Sequence, residues 1–477
     1  MDADTLKKKL QKQNPLMMSP MAFALAACGG GGGDGKVTTE ASKPDDDTAM
    51  NTSVFGLNTL GETLSFSYFA DNSVRGAVRY FYPNDLDASK GQEVIIAGFE
   101  TQPNTAAEYS NTALFVLDID SGGITDITAT VLSGDSSSVE GVGDIIWGDF
   151  NNDDRLDFFT TAYTDMNFAV NAYSFNGGAN GFERQQIDSA TWQHGASVFD
   201  INGDGYDDVY ATAYPGPNLY FGSASGLIEY TVSGVYNGGS GVALGDFLNN
   251  GQVQAVEVDA GVVGKDVADT VLFEIFVNDA DQTVELKNPT ILPAPLLEGD
   301  AFDNVLSFSG QRSHDVRVEA LDFNNDGLLD VIVFSRSSFD ADQNMWPRVS
   351  QVQFLRNDGG GVFSDVTSTI LPKYDYNSNI GYQPLFDDFN KDGFLDIFIS
   401  DPDFRGSHTS SVFLLGSSDG SFEEFGRNEL TALIPANGGM ATVVEDANED
   451  FWLLVGYQSV GVDGRQENLT LHSIDFV

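Results

Sequence analysis

The chain has 477 residues, 23 Lys+Arg against 71 Asp+Glu, and a formal net charge of −48. Such acidity argues against a nucleic-acid partner and against a basic face for anionic lipid, and the single cysteine rules out an internal disulfide. A hydrophobic fraction of 41%, with 35 Phe and 16 Tyr, suits a globular chain built on β structure.

In chain order the first element is a leader. Lys7, Lys8, Lys9 and Lys12 form a positive stretch, and Leu16–Ala27 form an apolar run too short to span a bilayer. The run ends in "LAAC", Leu25 to Cys28, which resembles a bacterial lipobox. That resemblance implies a signal peptide over 1–27, cleavage before Cys28, and a diacylglyceryl thioether on its sulfur. With no Asp directly after Cys28, it also implies the outer membrane of a Gram-negative cell as the destination. Residues 28–58, opening with "GGGGGDG", lack the apolar content to pack and are expected to form a flexible tether.

The remainder, 59–477, reads as one repeating domain. After a strand-like run "GETLSFSYFA" (61–70), seven stretches share one grammar: apolar strand, acidic loop, apolar strand. The loops begin at Asp85, Asp149, Asp200, Asp246, Asp322, Asp388 and Asp446. Runs such as "DDVYATA" (207–213), "LDVIVFS" (329–335) and "LDIFIS" (395–400) are short, β-branched and aromatic, as strands are. Gly-rich turns inside 218–232, 352–371 and 411–425 predict a hairpin after each. Repeats of this length mean stacked supersecondary units. Four strands per unit and seven units predict an all-β fold, a seven-bladed β-propeller with four-stranded antiparallel blades. The last unit lacks an outer strand, so the N-terminal strand is expected to close it and to cover the open edge.

Four loops follow D-x-[DN]-x-D-[GD]-x-x-D. Side chains at positions 1, 3, 5 and 9 and the carbonyl at position 7 converge there, and hard oxygen donors in that number suit Ca²⁺. The expected ligand sets are Asp149, Asn151, Asp153, Asp157 with the Arg155 carbonyl; Asp200, Asn202, Asp204, Asp208 with that of Tyr206; Asp322, Asn324, Asp326, Asp330 with that of Leu328; and Asp388, Asn390, Asp392, Asp396 with that of Phe394. Asp154 stands where the other three loops have a glycine, and Asp tolerates a left-handed backbone. An EF-hand would need Glu at position 12; Thr160, Ala211, Val333 and Ile399 stand there. The competing reading of any one loop is a solvated Asx turn. Asp85, Asp87, Ser89 and Glu93 make a weaker fifth set, the Asp446 loop is doubtful with Leu454 at position 9, and the Asp246 loop, with Leu248 and Gln254, is expected to hold no ion.

The blocks "ALDFNNDGLLDVIVFS" and "FLRNDGGGVFSDV" resemble FG-GAP/VCBS repeats, the unit of the integrin-alpha-type propeller, and the resemblance extends over about 60–477. It implies that the acidic loops join the first and second strands of each blade. The opposite face then carries the longer connections, where recognition usually lives. Trp192, His194, Arg312, His314, Trp346, Tyr382 and Arg405 fall there, and Asp144, Arg317, Glu319 and Gln383 are expected to line the central channel.

Three functions fit. The leading one is a lipid-anchored, calcium-stabilised module, a monomer with no catalytic residues, that binds a glycan or protein through the face opposite the calcium loops and meets the membrane only through Cys28. The second is a propeller-type polysaccharide lyase using His194 or His314 with Arg312 or Arg317. The third is a non-catalytic scaffold of an envelope complex.

Overall fold

A computed structural model describes residues 55–67, 75–86, 91–101, 112–120, 123–132, 138–139, 141–162, 171–187, 193–213, 216–234, 236–237, 239–262, 268–293, 313–337, 350–371, 383–400, 411–434, 440–461 and 464–476. Cys28, the leader and the tether lie outside them, as do Asp87, Ser89, Trp192, Arg312, Trp346, Tyr382 and Arg405.

The fold is all-β and propeller-like. The described strands form six sheets. The first contains Arg75–Asn84, Glu93–Thr101, Thr112–Asp120 and Gly123–Asp126, with the two-residue Ser138–Val139 strand added on Thr112–Asp120. The second contains Val142–Gly148, Asp157–Ala162, Ala172–Gly178 and Gly181–Ile187. Two more four-stranded blades follow the same meander. One runs from Ser313–Leu321 through Asp330–Ser337 and Ser350–Asn357 to Phe363–Asp365. The other runs from Gln383–Asp387 through Asp396–Ser400 and Val412–Gly416 to Phe422–Phe425. In the last sheet Met440–Glu445, Phe451–Gly461 and Gly464–Phe476 are completed by Phe55–Ser67, which pairs antiparallel with Gly464–Phe476. The N-terminal strand therefore covers the edge that the sequence leaves open there.

Residues 193–291 depart from the expected separation of blades. Two antiparallel meanders, 193–233 and 241–291, join into one nine-stranded sheet through a parallel pairing of Ile228–Ser233 with Thr283–Ile291. The strand Thr283–Ile291 is nine residues long, and its first three residues pair with Phe276–Asn278 of its own hairpin on one side and with Thr231–Ser233, the neighbour's edge, on the other. Capping one edge with another leaves fewer unpaired backbone groups than two separate edges would.

The sheets pack face to face in sequence, with seven apolar clusters at their contacts. Six lie between consecutive sheets, counting the last against the first, and one lies within the nine-stranded sheet. Each second strand is buried on both faces, and this explains its unbroken apolar run. Phe158 faces the first sheet while Phe159 faces the 193–233 meander. Ile332 faces the 383–425 sheet while Val331 and Val333 face the other way. The ring closes where Val444, Trp452, Leu454 and Leu471 of the last sheet pack on Phe81, Val94, Ile96 and Leu117 of the first. Gln92 adds two hydrogen bonds at this closure, from its N–H to the Glu445 carbonyl (2.8 Å) and to its Oε1 from the Glu445 N–H (3.1 Å). Three short helices, Thr128–Val131, Thr367–Ile370 and Arg427–Leu433, fill outer corners. Among the described residues no helix is long and apolar enough to cross a membrane.

Candidate metal loops and axial polar cluster

Each of the four acidic loops joins the first strand of a meander to the second. They fold alike. The position-1 carboxylate accepts the N–H groups of positions 5 and 6: Asp149 from Asp153 (3.0 Å) and Asp154 (2.9 Å), Asp322 from Asp326 (3.1 Å) and Gly327 (2.8 Å), Asp388 from Asp392 (2.9 Å) and Gly393 (2.8 Å). Asp200 takes Gly203 (2.7 Å) and Gly205 (3.0 Å). The position-3 asparagine accepts the N–H of position 5, and the position-5 aspartate that of position 7, in every loop. Tight coiling needs a left-handed residue at position 6, supplied by Gly205, Gly327 and Gly393 (φ 100°, 88° and 90°) and by Asp154 at φ 65°.

Position 9 has a second task. Asp157, Asp208, Asp330 and Asp396 are fully buried. One oxygen of each accepts an N–H at the start of its own loop: Phe150, Ile201, Phe323 or Asn390. The other accepts an N–H at the end of the third strand: Gly177 (2.7 Å), Gly222 (2.8 Å), Asn357 (2.8 Å) or Gly416 (2.8 Å). The residue thus pins loop, second strand and third strand together. Burial pushes Asp157, Asp330 and Asp396 up to about 7 despite these donors, and raises Asp208 well above the usual range. Burial also raises Asp149 and Asp322. These carboxylates are poorly compensated by the protein itself.

The two divergent loops are compensated differently. In the Asp246 loop, Gln254 stands at position 9. Its Oε1 accepts the Leu248 N–H (3.0 Å) as the aspartates do, while its Nε2 donates to the Gln252 carbonyl (2.8 Å) and lies 3.4 Å from Asn250 Oδ1. Those two acceptors occupy positions 7 and 5, where ligands to an ion would lie. In the Asp446 loop, Trp452 at position 7 donates its indole N–H to Asp446 Oδ2 (3.0 Å). Burial alone would raise Asp446, but the N–H groups of Asp450, Trp452 and Asn448 together hold it below the usual range. In the first loop Glu93 Oε2 accepts the Leu86 N–H (2.6 Å), as position 9 does elsewhere.

As a test of fit, the four acidic loops offer carboxylate, amide and carbonyl oxygens alone, with Arg155, Tyr206, Leu328 or Phe394 at position 7 and Asp at position 9. The donor set fits a hard divalent ion. In the Asp246 loop a side-chain N–H donor replaces the position-9 carboxylate and faces the oxygens at positions 5 and 7. Among the described residues no three carboxylate, imidazole or thiolate side chains close a cage by themselves, so the amide and carbonyl oxygens are needed to complete one.

A second polar cluster crosses the ring. Arg317, on the first strand of the 313–365 blade, bonds Glu319 through Nε (2.5 Å), and its Nη1 lies 3.7 Å from Asp144 Oδ2 on the first strand of the second sheet. Asp144 is 6% exposed; burial raises its pKa, and the Arg317 charge and the neighbouring Tyr82 hydroxyl oppose that rise. The Arg317 side chain is 32% exposed. Gln383 Nε2, from another first strand, reaches the Phe81 carbonyl (3.4 Å). Of the residues expected at the channel, Asp144, Arg317 and Glu319 meet one another, whereas Gln383 meets the Phe81 carbonyl instead.

First strands carry β-bulges near their starts, between Val78 and Tyr80, Val142 and Ile145, Gln193 and Ala196, and Asp315 and Arg317. These bulges re-aim Asp144 and Arg317 at the end away from the acidic loops. His194 lies in one of them, with its carbonyl accepting the Thr161 hydroxyl (3.4 Å). His314 pairs with Arg336 in its strand ladder. Residues that sequence reasoning missed include Asp207, Gln254 as an internal donor, and Glu257. Glu257 is fully buried, accepts the Tyr210 hydroxyl at 2.5 Å, and burial pushes it up to about 7.

The model for the FG-GAP-like repeat matches residues 322–399, which hold two of the four acidic loops. No curated protein matches the chain. Among solved structures, an Agrocybe aegerita lectin described as recognising non-reducing terminal N-acetylglucosamine is 13% identical with a TM-score of 0.38, over 80% of this chain and 86% of its own. The exotype rhamnogalacturonan lyase YesX is 10% identical with a TM-score of 0.39, over 87% and 75%. An alpha-L-arabinanase of Penicillium chrysogenum is 10% identical with a TM-score of 0.35, over 68% and 93%. These likenesses carry no argument on ligand or activity, which rest on the side chains above.

Proposed function

We propose that this protein is a calcium-stabilised propeller of seven repeats, two of them fused in the nine-stranded sheet, tethered to the outer membrane by lipid on Cys28. It binds a glycan or protein ligand, without catalysis, at the rim opposite the acidic loops. Asp149, Asn151, Asp153, Asp157 and the Arg155 carbonyl would hold one Ca²⁺, the matching sets at 200, 322 and 388 three more, and the Asp85–Glu93 loop a weaker fifth. Bound calcium supplies the positive charge that these crowded carboxylates lack.

The observation that carries the ligand reading is the Arg317–Glu319–Asp144 cluster. Carboxylates from two sheets orient the guanidinium of a side chain that stays about one-third exposed as a whole. A fork of donors fixed in advance loses little freedom when it engages hydroxyl or carbonyl oxygens, and the flanking carboxylates accept from hydroxyls. By their place in the repeat, Trp192, Trp346 and Tyr382 would offer flat faces for sugar rings or apolar side chains, with His194, His314, Arg312 and Arg405 as polar neighbours.

A glycan array probed with the lipid-free chain and with Arg317→Ala tests this. Retention on a defined glycan class, reduced roughly tenfold or more by the substitution, is expected. Equal retention by the variant, or retention of nothing, would overturn the glycan form of the reading. Ultraviolet-absorbing unsaturated products from an acidic polysaccharide would replace it with a lyase.

A further inference from the structure

We infer that the loops at 149 and 200 bind calcium as a positively coupled pair, with Asp207 as the coupling residue, whereas the loops at 322 and 388 bind independently; this rests on the calcium reading above. Asp207 occupies position 8 of its loop, between the Tyr206 carbonyl and Asp208. It reaches back across the seam between the second sheet and the 193–233 meander. Its Oδ2 accepts the Asp149 N–H (2.8 Å), and its own N–H donates to the Asp149 carbonyl (3.2 Å). One residue flanked by two ligand positions thus holds both backbone polar groups of the first ligand in the preceding loop.

The seam leaves no slack for one loop to shift alone. Gly222, whose N–H bonds Asp208, is wedged so tightly that a Cβ there would lie 2.5 Å from the Asp207 carbonyl oxygen, 2.6 Å from Tyr206 Cβ and 2.7 Å from the Phe150 carbonyl oxygen. The Ser223 N–H bonds that same Phe150 carbonyl (3.1 Å). A displacement of 206–208 is therefore transmitted to Asp149 and Phe150. Charge acts in the same direction. The Asp207 carboxylate beside Asp149 is repelled by it in the empty pair; an ion on Asp149 removes that repulsion and favours the position of Asp207 that orders the second loop. Coupling of this kind is reciprocal.

The other adjacent acidic pair supplies the control. At position 8 of the Asp388 loop stands Leu395, packed into the apolar cluster between the two blades. No carboxylate spans that seam from this position. A similar polar bridge recurs at the ring closure, where Gln92 at position 8 holds both backbone groups of Glu445, so a polar residue at position 8 can clamp the seam, and a charged one stands there only in Asp207.

The experiment is calorimetric calcium titration of the metal-stripped full chain carrying one pair of loops at a time. Asn324→Ala, Asp326→Ala, Asn390→Ala and Asp392→Ala leave the 149/200 pair; Asn151→Ala, Asp153→Ala, Asn202→Ala and Asp204→Ala leave the other. Apart from weak uptake at the Asp85–Glu93 loop, common to all the chains, the first chain is expected to bind two ions with a Hill coefficient clearly above one, the affinity of the second ion raised roughly fivefold or more. The second chain should show two independent ions. Asp207→Ala should make the 149/200 pair independent, and Asp207→Asn, which keeps an acceptor for the Asp149 N–H but no charge, separates bond from repulsion and guards against a misfolded alanine variant. Independent binding by the 149/200 pair overturns the inference while leaving the calcium reading intact. No uptake by either chain overturns both.

Discussion

The loops at 149, 200, 322 and 388 and the loops at 246 and 446 all begin on an aspartate that collects backbone N–H groups and solve one electrostatic problem in two ways, the 446 loop being the shorter, with its second strand starting at Phe451, position 6, rather than at position 9. Both kinds curl their N–H groups around the position-1 aspartate. In the first kind positions 5, 7 and 9 offer oxygens, the position-3 amide donates to the position-5 carboxylate in three of the four loops, and burial still raises the position-9 carboxylates. In the second kind a further side-chain N–H enters, the Gln254 amide in place of the position-9 carboxylate or the Trp452 indole on Asp446, and Asp446 is held below the usual range. A divergent repeat can therefore compensate its position-1 aspartate or position-9 site with a side-chain N–H of its own. Crowded carboxylates are costly when buried without a partner; an internal donor or a divalent ion each relieves that cost.

Chelation is the widest way to break this comparison. If each acidic loop is held at about a hundred times its dissociation constant, each ion stabilises the fold by about 2.7 kcal/mol. Removing four with EGTA should lower the unfolding midpoint by roughly 10 °C in a chain of this size. The pair Asp208→Ala and Gln254→Ala sharpens the result. Both remove a buried acceptor for an N–H at the start of their loop. The aspartate change should be the larger in calcium and shrink under EGTA, because it also removes a ligand. The glutamine change should cost the same with or without calcium. A midpoint indifferent to EGTA would mean that the acidic loops, like the others, are complete in themselves.

Much of this contrast is legible in sequence because it depends on spacing. D-x-N-x-D with Asp at position 9 dictates the N–H pattern that the four loops adopt, and Asp154 takes the left-handed backbone expected of it. The runs of second strands announce burial on both faces for the same reason. What sequence hides is the partner across a seam. Nothing in "GYDD" says that Asp207 holds Asp149, since the contact joins positions far apart in the chain. Gln254 reads as a lost ligand, and only its geometry makes it a donor to the oxygens an ion would bridge. The parallel joining of Ile228–Ser233 to Thr283–Ile291 is equally silent, because an edge strand carries no mark of which edge it will meet. Asp144, Arg317 and Gln383 were easier to place. They fall at equivalent positions ahead of their loops, and a ring brings equivalent positions to its axis.

A smaller effect separates the loops from the buried carboxylate beside them. Burial raises Glu257 from 4.5 to about 7 and raises Asp157, Asp330 and Asp396 from 3.8 to about 7. A carboxyl raised in the folded state keeps a proton there that the unfolded chain has released. Its contribution to stability is full below the unfolded pKa and is lost as pH rises through the folded one. For Glu257, whose Oε2 has no hydrogen-bond partner among the described residues, the loss between about pH 4.5 and 7 is on the order of 3 kcal/mol. Denaturant unfolding between pH 4 and 8 should show a decline under EGTA to which both kinds of group contribute. In calcium, which competes with protons only at the loops, the Glu257 part should remain, and Glu257→Gln should remove it. A decline identical in calcium and EGTA would assign the whole effect to groups outside the loops.

The smallest expected effect tests the indole as a substitute for an ion. Trp452→Phe keeps most of the ring that packs at the closure of the propeller and deletes the N–H that Asp446 accepts. Asp446 is almost fully buried, and it would retain the N–H groups of Asn448 and Asp450. The loss is that of one hydrogen bond to a charged group, about 1.5–3 kcal/mol, and Asp446 should titrate closer to its ordinary range. Its removal should also leave Asp446 with the donors of Asn448 and Asp450, closer to the position-1 aspartates of the acidic loops. Added calcium should then recover part of the lost stability in Trp452→Phe at concentrations that do nothing further for the parent chain. Loss without any recovery would show that the indole serves the closing seam by packing and its hydrogen bond alone. Recovery would show that the Asp446 loop, despite its shorter turn and Leu454 at position 9, takes up an ion once its internal donor is gone.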